Sequence, residues 1–136
     1  MKRKESKTKP YDYYVKMVEK NYFASVDRKD MASTLDCFCE DAVFTIQSAF
    51  STHEGRDTDV RKMFEDYFNN FTHGVHKDFV HVVDVEHQCC ASQFNVDVEA
   101  RDGTKTNMSN ANFFYFENGK FKRVYVYMSG GQNTLG

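Results

Sequence analysis

Residues 105–129 read KTNMSNANFFYFENGKFKRVYVYMS. Two runs rich in aromatic and β-branched residues flank Asn118-Gly119. Asn-Gly in that setting is the strongest short-range hairpin signal. The stretch predicts two antiparallel strands, 105–117 and 120–129. Counting outward from a two-residue turn, Phe116 opposes Phe121, Asn112 opposes Tyr125 and Asn110 opposes Tyr127. One face then carries Asn110, Asn112, Tyr125 and Tyr127. The other, drier face carries Ala111, Phe113, Val124, Val126 and Met128. A bulge at the turn would break this parity. The polar-aromatic face is either a pocket wall or a dimer surface.

Upstream, 79–87 and 89–101 also read as strands, with a hairpin turn at Arg101-Asp102-Gly103-Thr104. Before Gly74 the period changes from 2 to 3.6. Val60, Met63, Phe64, Tyr67, Phe68 and Phe71 fall on one helical face, with Asp57 or Thr58 able to cap. Residues 43–50 read as a strand, followed by a turn from Ser51 to Arg56. Earlier still, Tyr11, Tyr14, Val15, Val18, Tyr22 and Val26 make one apolar stripe, with Asp12 as a possible cap. The charged stretch Asp27 to Asp30 ends that helix, and Asp30 caps the next, whose apolar face is Met31, Leu35 and Phe38. The order predicts an α+β fold: three N-terminal helices packed on one face of a curved, mostly antiparallel sheet, a cone-shaped α+β barrel. Such a cone has an open mouth, where pockets form.

The chain has 136 residues, 40% hydrophobic and 28% charged. That composition fits one globular domain and is unlike the sparse-apolar signature of disorder. The expected layout is a disordered basic tail over 1–10, a single domain over 11–129 and a C-terminal tail over 130–136. Residues 1–9 carry +4 (five basic, Glu5 acidic), which leaves −6 on the rest of a chain whose net charge is −2. A dedicated nucleic-acid binder is not expected from that balance. The basic tail leaves one minor route to nucleic acid, which would be salt-dependent. No apolar run approaches the ~20 residues of a membrane span, and the N-terminus lacks the apolar stretch of a secretory signal. A cytoplasmic protein with no membrane partner is expected. The four cysteines, Cys37, Cys39, Cys89 and Cys90, are spaced too closely for structural zinc and read as reduced thiols. The sequons at Asn70 and Asn107 matter only in a secreted protein.

Several short motifs, in order, carry a resemblance. They are Asn21-Tyr22-Phe23-Ala24-Ser25-Val26-Asp27 with Asp30, Cys39-Glu40-Asp41-Ala42-Val43-Phe44, Glu54-Gly55-Arg56 and Asn118-Gly119-Lys120-Phe121. Together they resemble the nuclear transport factor 2-like superfamily, with its cystatin-like cone. Ketosteroid isomerase, scytalone dehydratase, limonene epoxide hydrolase and SnoaL-like polyketide cyclases share that fold. The resemblance spans Tyr13 to roughly Met128. It implies an SnoaL-like, ketosteroid isomerase-like protein, and the superfamily also holds binding and interaction modules, so the site must be argued separately.

Laid on ketosteroid isomerase, the helix-one tyrosine falls on Tyr22 and the protonated acid near Asn112. The strand-one base falls on Ile46, which takes no proton, so that isomerisation is not expected. Tyr22 and Asn112 remain a pair of neutral donors for a ligand carbonyl. His53, just before the third helix, is the first choice for a base, with Glu54 or Asp57 beside it. His73 and His76 flank Gly74 and are further candidates at the mouth. The expected catalytic set is Tyr22, His53 and Asn112. The expected pocket lining is Tyr14, Val18, Phe44, Ile46, Phe64, Phe68, Asn110 and Tyr127. His81 and His87 lie about 20 Å apart along one strand, too far to share a metal. His73-x-x-His76 has no evident third ligand, so no metal is expected, and no phosphate-binding glycine loop occurs, so no cofactor is expected.

Two functions follow. One is a hydrophobic pocket for a small aromatic or carbonyl compound, with cofactor-independent isomerisation, dehydration or cyclisation. The other is a non-catalytic homodimeric module that binds ligand or protein, with Tyr125 and Tyr127 in the dimer interface.

Overall fold

The computed structural model describes residues 7–129, 134 and 135. Of the expected tails, residues 1–6, 130–133 and 136 lie outside the described residues. The Lys9 backbone N–H donates to the Tyr14 hydroxyl at 2.9 Å, and the Lys9 ammonium lies over the Tyr13 ring.

The first helix runs as α1 (Tyr11–Lys16), a π-wound segment (Met17–Phe23) and α2 (Ala24–Asp27). Of its predicted apolar stripe, Tyr14, Val18, Tyr22 and Val26 are buried, Val15 is half-buried and Tyr11 is exposed. The wider π turns also bury Met17 and Phe23. Pro10, not Asp12, occupies the N-cap, and Asp12 sits in the first turn, where the helix dipole favours an acid. In α3 (Met31–Asp36) the Asp30 carboxylate accepts from the Ser33 N–H at 3.0 Å, the expected cap. The bond to Ser33 also holds the Asp30 carboxyl below its usual range.

Strand β1 (Phe38–Ile46) begins earlier than expected and gives way to a 3-10 turn at Gln47–Ala49. The expected turn from Ser51 is instead strand β2 (Ser51–Glu54), paired antiparallel with β1. A π turn (Gly55–Val60) leads into α4 (Arg61–Asn70), with no side-chain cap from Asp57 or Thr58.

The helical pattern stops at Asn70, and β3 (Phe71–Asp84) starts eight residues before its expected position. Two contacts explain the early stop. The Lys29 ammonium donates to the carbonyls of Phe68 and Phe71, closing the end of α4. Gly74 passes so close to α4 that a Cβ there would lie 2.5 Å from the Tyr67 hydroxyl. Lys29→Met is expected to cost about 1 kcal/mol and to lower Tm by about 3–6 °C in a calorimetric melt.

Strands β4 (Cys89–Ala100), β5 (Lys105–Glu117) and β6 (Lys120–Tyr127) complete one six-stranded sheet in the order β2-β1-β6-β5-β4-β3. Only the β1–β6 pair is parallel. The α+β class and the helices on one face are as expected. The sheet is not closed, however, and β2 and β3 are its edges.

At the last hairpin both Asn118 and Gly119 have positive φ, 52° and 80°, the type I′ geometry that suits Asn-Gly. A bulge then shifts the register, so Phe116 pairs with Phe121 but Tyr115 pairs with Arg123. The parity counted from the turn is overturned beyond it. Asn112 opposes Val126, and Ala111 opposes Tyr127. Asn110, Asn112, Val124 and Val126 therefore face the helices and are buried. Ala111, Phe113, Tyr125 and Tyr127 lie on the open face, where Tyr127 is 44% exposed. The core between helices and sheet is largely aromatic. The Tyr22 ring meets Phe38, Phe114 and Phe121 edge-on at centroid distances of 5.7, 5.6 and 5.3 Å.

Candidate functional site

Between the helices and the sheet lies an inner cavity of about 30 Å³. Its wall includes Tyr22 and Phe23 of the first helix, Phe64 and Tyr67 of α4, His76 of β3 and Asn112 of β5. A space this size admits little more than a water molecule, since small-molecule pockets hold roughly 300–1,000 Å³. Aromatic rings fill the rest of the cone. Burial pushes the Tyr22 phenol well above its ordinary value of 10, so it remains a neutral O–H. The same cause raises Tyr67.

His76 is the basic group of this wall. Its Nδ1 lies 2.6 Å from Asp27 Oδ1, and its backbone N–H donates to Asp27 Oδ2 at 3.0 Å. A carboxylate only accepts, so Nδ1 carries a proton, and in the neutral ring Nε2 is the nitrogen with a lone pair. The ring is further fixed by stacking on Phe23 at 4.4 Å. Asp27 stands where the first helix ends, and His76 stands where β3 crosses that end. The arrangement is that of an imidazole held by a carboxylate beside a small, largely aromatic cavity.

Asn112 supplies the second polar feature. It is 3% exposed, and among the described residues its Oδ1 is a buried side-chain atom with no hydrogen-bond partner. Leaving such an atom unpaired costs roughly 1–3 kcal/mol. Its neighbour Asn110 spends its Oδ1 accepting from the Ser129 N–H at 3.1 Å.

The other histidines differ. His81 has both nitrogens engaged, Nε2 with Glu19 at 2.6 Å and Nδ1 with Ser92 at 2.8 Å, which suits a structural tie. His87 lies beyond the end of β3 and pairs with Asp84 on the surface. His53, on β2, bonds Ser51 and lines a separate cleft of about 270 Å³ with Asp59, Lys62, Asp66 and Asn70. Burial holds the His53 imidazole below its usual value, and Asp59 and Asp66 oppose that shift. Among the described residues, no three His, Cys, Asp or Glu side chains are grouped to hold a metal ion.

The expected site is thus partly gathered. Tyr22, Phe64, Asn110 and Asn112 share the inner cavity. His53 stands in the neighbouring cleft. Tyr14, Val18, Phe44 and Ile46 are fully buried in the core, and Phe68 packs beside Phe64. Tyr127 is a correction: the bulge in β6 turns it to the open face of the sheet. Asp27 was missed altogether as a site residue. It reads only as part of the charged helix end, and nothing in the sequence pairs it with a histidine 49 residues away.

The open face has its own groove, lined by Phe113, Tyr115, Arg123, Tyr125 and Tyr127. Strand pairing puts Val82, Ala91, Phe113 and Tyr125 on one rung, and Val80, Gln93, Ala111 and Tyr127 on the next. Val80, Val82, Phe113 and Tyr127 are exposed there.

Comparison with known proteins agrees with this architecture. The SnoaL-like domain family matches residues 20–124, and the chain belongs to that family. A search of curated proteins found no match. Among solved structures, a candidate polyketide cyclase from Xanthomonas campestris pv. campestris superposes with a TM-score of 0.77 at 16% identity, over 85% of this chain and 90% of that one. An LEH-like epoxide hydrolase from M. tuberculosis gives 0.74 at 11% identity, over 87% and 84%. A candidate aromatic ring hydroxylase from Novosphingobium aromaticivorans DSM gives 0.72 at 23% identity, over 94% and 99%. At these identities the likeness establishes the fold alone. No helix among the described residues is long and apolar enough to cross a membrane.

Proposed function

We propose that this protein is a cofactor-independent acid–base catalyst acting on a small aromatic or carbonyl compound, for which the inner cavity beside Asp27 and His76 must widen from its present volume of about 30 Å³. The observation that carries this reading is the Asp27–His76 pair on the wall of a cavity that also holds the unpartnered Asn112 Oδ1. His76 Nε2 takes a proton from the carbon next to a carbonyl, and the electron pair moves onto the carbonyl oxygen. Tyr22 donates its O–H to that oxygen, and Asn112 Oδ1 accepts from a ligand hydroxyl. The imidazolium, steadied by Asp27, returns the proton to carbon in an isomerisation or to a leaving hydroxyl in a dehydration. The test is deuterium exchange from D2O into a panel of small cyclic and hydroxy-aromatic ketones, followed by proton NMR. Protein-dependent exchange next to the carbonyl is the expected result. Exchange at the buffer rate throughout the panel would remove the proposal.

A second reading concerns assembly. The rungs centred on Phe113 expose apolar residues across four strands, and such a face suits pairing with a second copy. On the adjoining rung Asp84 stands on the edge strand β3 and Arg123 three strands away on the inner strand β6, so a two-fold axis between them would bring unlike charges together. Phe113→Asp is expected to convert a dimer into a monomer in analytical ultracentrifugation at micromolar concentration. A wild-type chain that sediments as a monomer there refutes this reading.

A further inference from the structure

A cleft of about 640 Å³ lies between the first helix, α3 and the turn that joins β5 to β6. It shares no lining residue with the inner cavity or with the His53 cleft. Two bonds hold the turn in place. The Tyr13 hydroxyl donates to the Gly119 carbonyl at 2.7 Å, and the Lys120 ammonium donates to the Asp36 carboxylate at 3.0 Å. A Cβ on Gly119 would lie 2.5 Å from the Tyr13 hydroxyl, so the approach of turn to helix requires glycine. Met17, Ala32 and Cys37 supply the apolar part of the lining. Burial, with Asp36 adding to it, pushes the Cys37 thiol up to about 12, so it stays a neutral S–H.

The charges of this cleft run against those of the chain. Lys20, Arg28 and Lys120 line it against Asp36 alone, on a protein whose net charge is −2. Their donors are underused. Lys20 has no carboxylate partner among the described residues. Arg28 reaches Asp30 only at 3.5 Å, and both side chains are exposed. Asn21 gives an amide N–H to the Met17 sulfur, a weak acceptor, at 3.0 Å. The Lys120–Asp36 pair is exposed too, and such pairs are worth little, so Lys120 can turn to a ligand at small cost.

We propose that this cleft binds a small organic phosphate monoester, with its phosphoryl group on Lys20, Arg28 and Lys120 and its apolar body against Met17 and Ala32. A monoester carries about −1.5 to −2 charge at pH 7 and three strong acceptor oxygens. That matches the excess of two cations, and the guanidinium fork suits two of those oxygens. A carboxylate would meet only half of the excess. The volume falls within the roughly 300–1,000 Å³ of small-molecule pockets. This site stands apart from the acid–base reading and does not depend on it.

The test uses phenyl phosphate as probe and the full chain, with affinity read by isothermal titration calorimetry at physiological ionic strength and position read by 15N-resolved NMR. Amide shifts are expected at Asn21, Ser33 and Gly119. Lys20→Gln and Arg28→Gln are each expected to weaken binding by about tenfold, the worth of one charge-assisted hydrogen bond. Asp36→Asn removes the competing carboxylate and is expected to tighten binding, by up to about fivefold. His76→Phe is expected to leave the affinity unchanged. Absence of binding at millimolar probe overturns the proposal. So does affinity that is indifferent to both glutamine variants, or amide shifts gathered at His76 and Asn112, which would place the probe in the inner cavity. Benzoate binding as tightly as phenyl phosphate would overturn the assignment to a phosphate monoester.

Discussion

His76→Phe is expected to lower the rate of protein-dependent proton exchange by about 10²–10⁴-fold, the usual worth of a positioned general base. Phenylalanine keeps the flat ring and its place against Phe23 and Phe94, so the wall retains its shape. What is lost is the nitrogen that takes the proton. Asp27 acts one step removed, as a positioning residue. Asp27→Asn keeps the size of the side chain but no longer supplies a carboxylate to hold Nδ1–H and steady the imidazolium. It should lower kcat with little change in KM, because the pair matters when charge develops and not when substrate binds. Equal rates in wild type and His76→Phe would assign the chemistry elsewhere. His53 is then the next base to test, in the adjoining cleft.

Phe114→Ala should cost about 3–5 kcal/mol, a large part of the stability of any single domain. Phe114 is completely buried and packs on Phe121 at 4.6 Å and on Tyr22 at 5.6 Å. Both rings sit in the middle of the aromatic layer. Truncation there removes burial and leaves a void that stiff rings fill poorly. In urea the midpoint should fall by about 1–3 M at typical slopes. Phe113, the next residue, provides the contrast. It points to the open face and is 38% exposed, so Phe113→Ala should change monomer stability far less. Similar losses at the two positions would contradict the strand facing and the bulge that sets it.

That bulge also marks where local reading ends. Asn118-Gly119 demands positive φ at both positions, and this requirement belongs to the dipeptide itself. The type I′ hairpin was therefore legible. So was the buried stripe Tyr14, Val18, Tyr22 and Val26, because a 3.6 period carries its own facing. Asp30 as a cap was legible for the same reason, since its partner Ser33 is three residues on. The extra residue in β6 is another matter. Its place is decided by how Phe121 and Val124 both reach the core, with Lys122 and Arg123 left outside. A shift of one residue turns every later side chain to the other face. Asn110 and Asn112 were consequently parted from Tyr125 and Tyr127.

The sequence by itself determined the hairpins, the helix stripes, the α+β class and the family likeness, because each rests on contacts between residues close along the chain or on a repeating pattern. The tertiary structure alone decided where α4 stops, since the Lys29 ammonium that closes it comes from 39 residues away. It alone brought Asp27 to His76, left Asn112 Oδ1 unpaired at the same cavity, and placed His53 in a separate cleft. These are meetings of side chains carried on different elements. Only the packing of helices against the sheet fixes such distances, and no spacing along the chain encodes them.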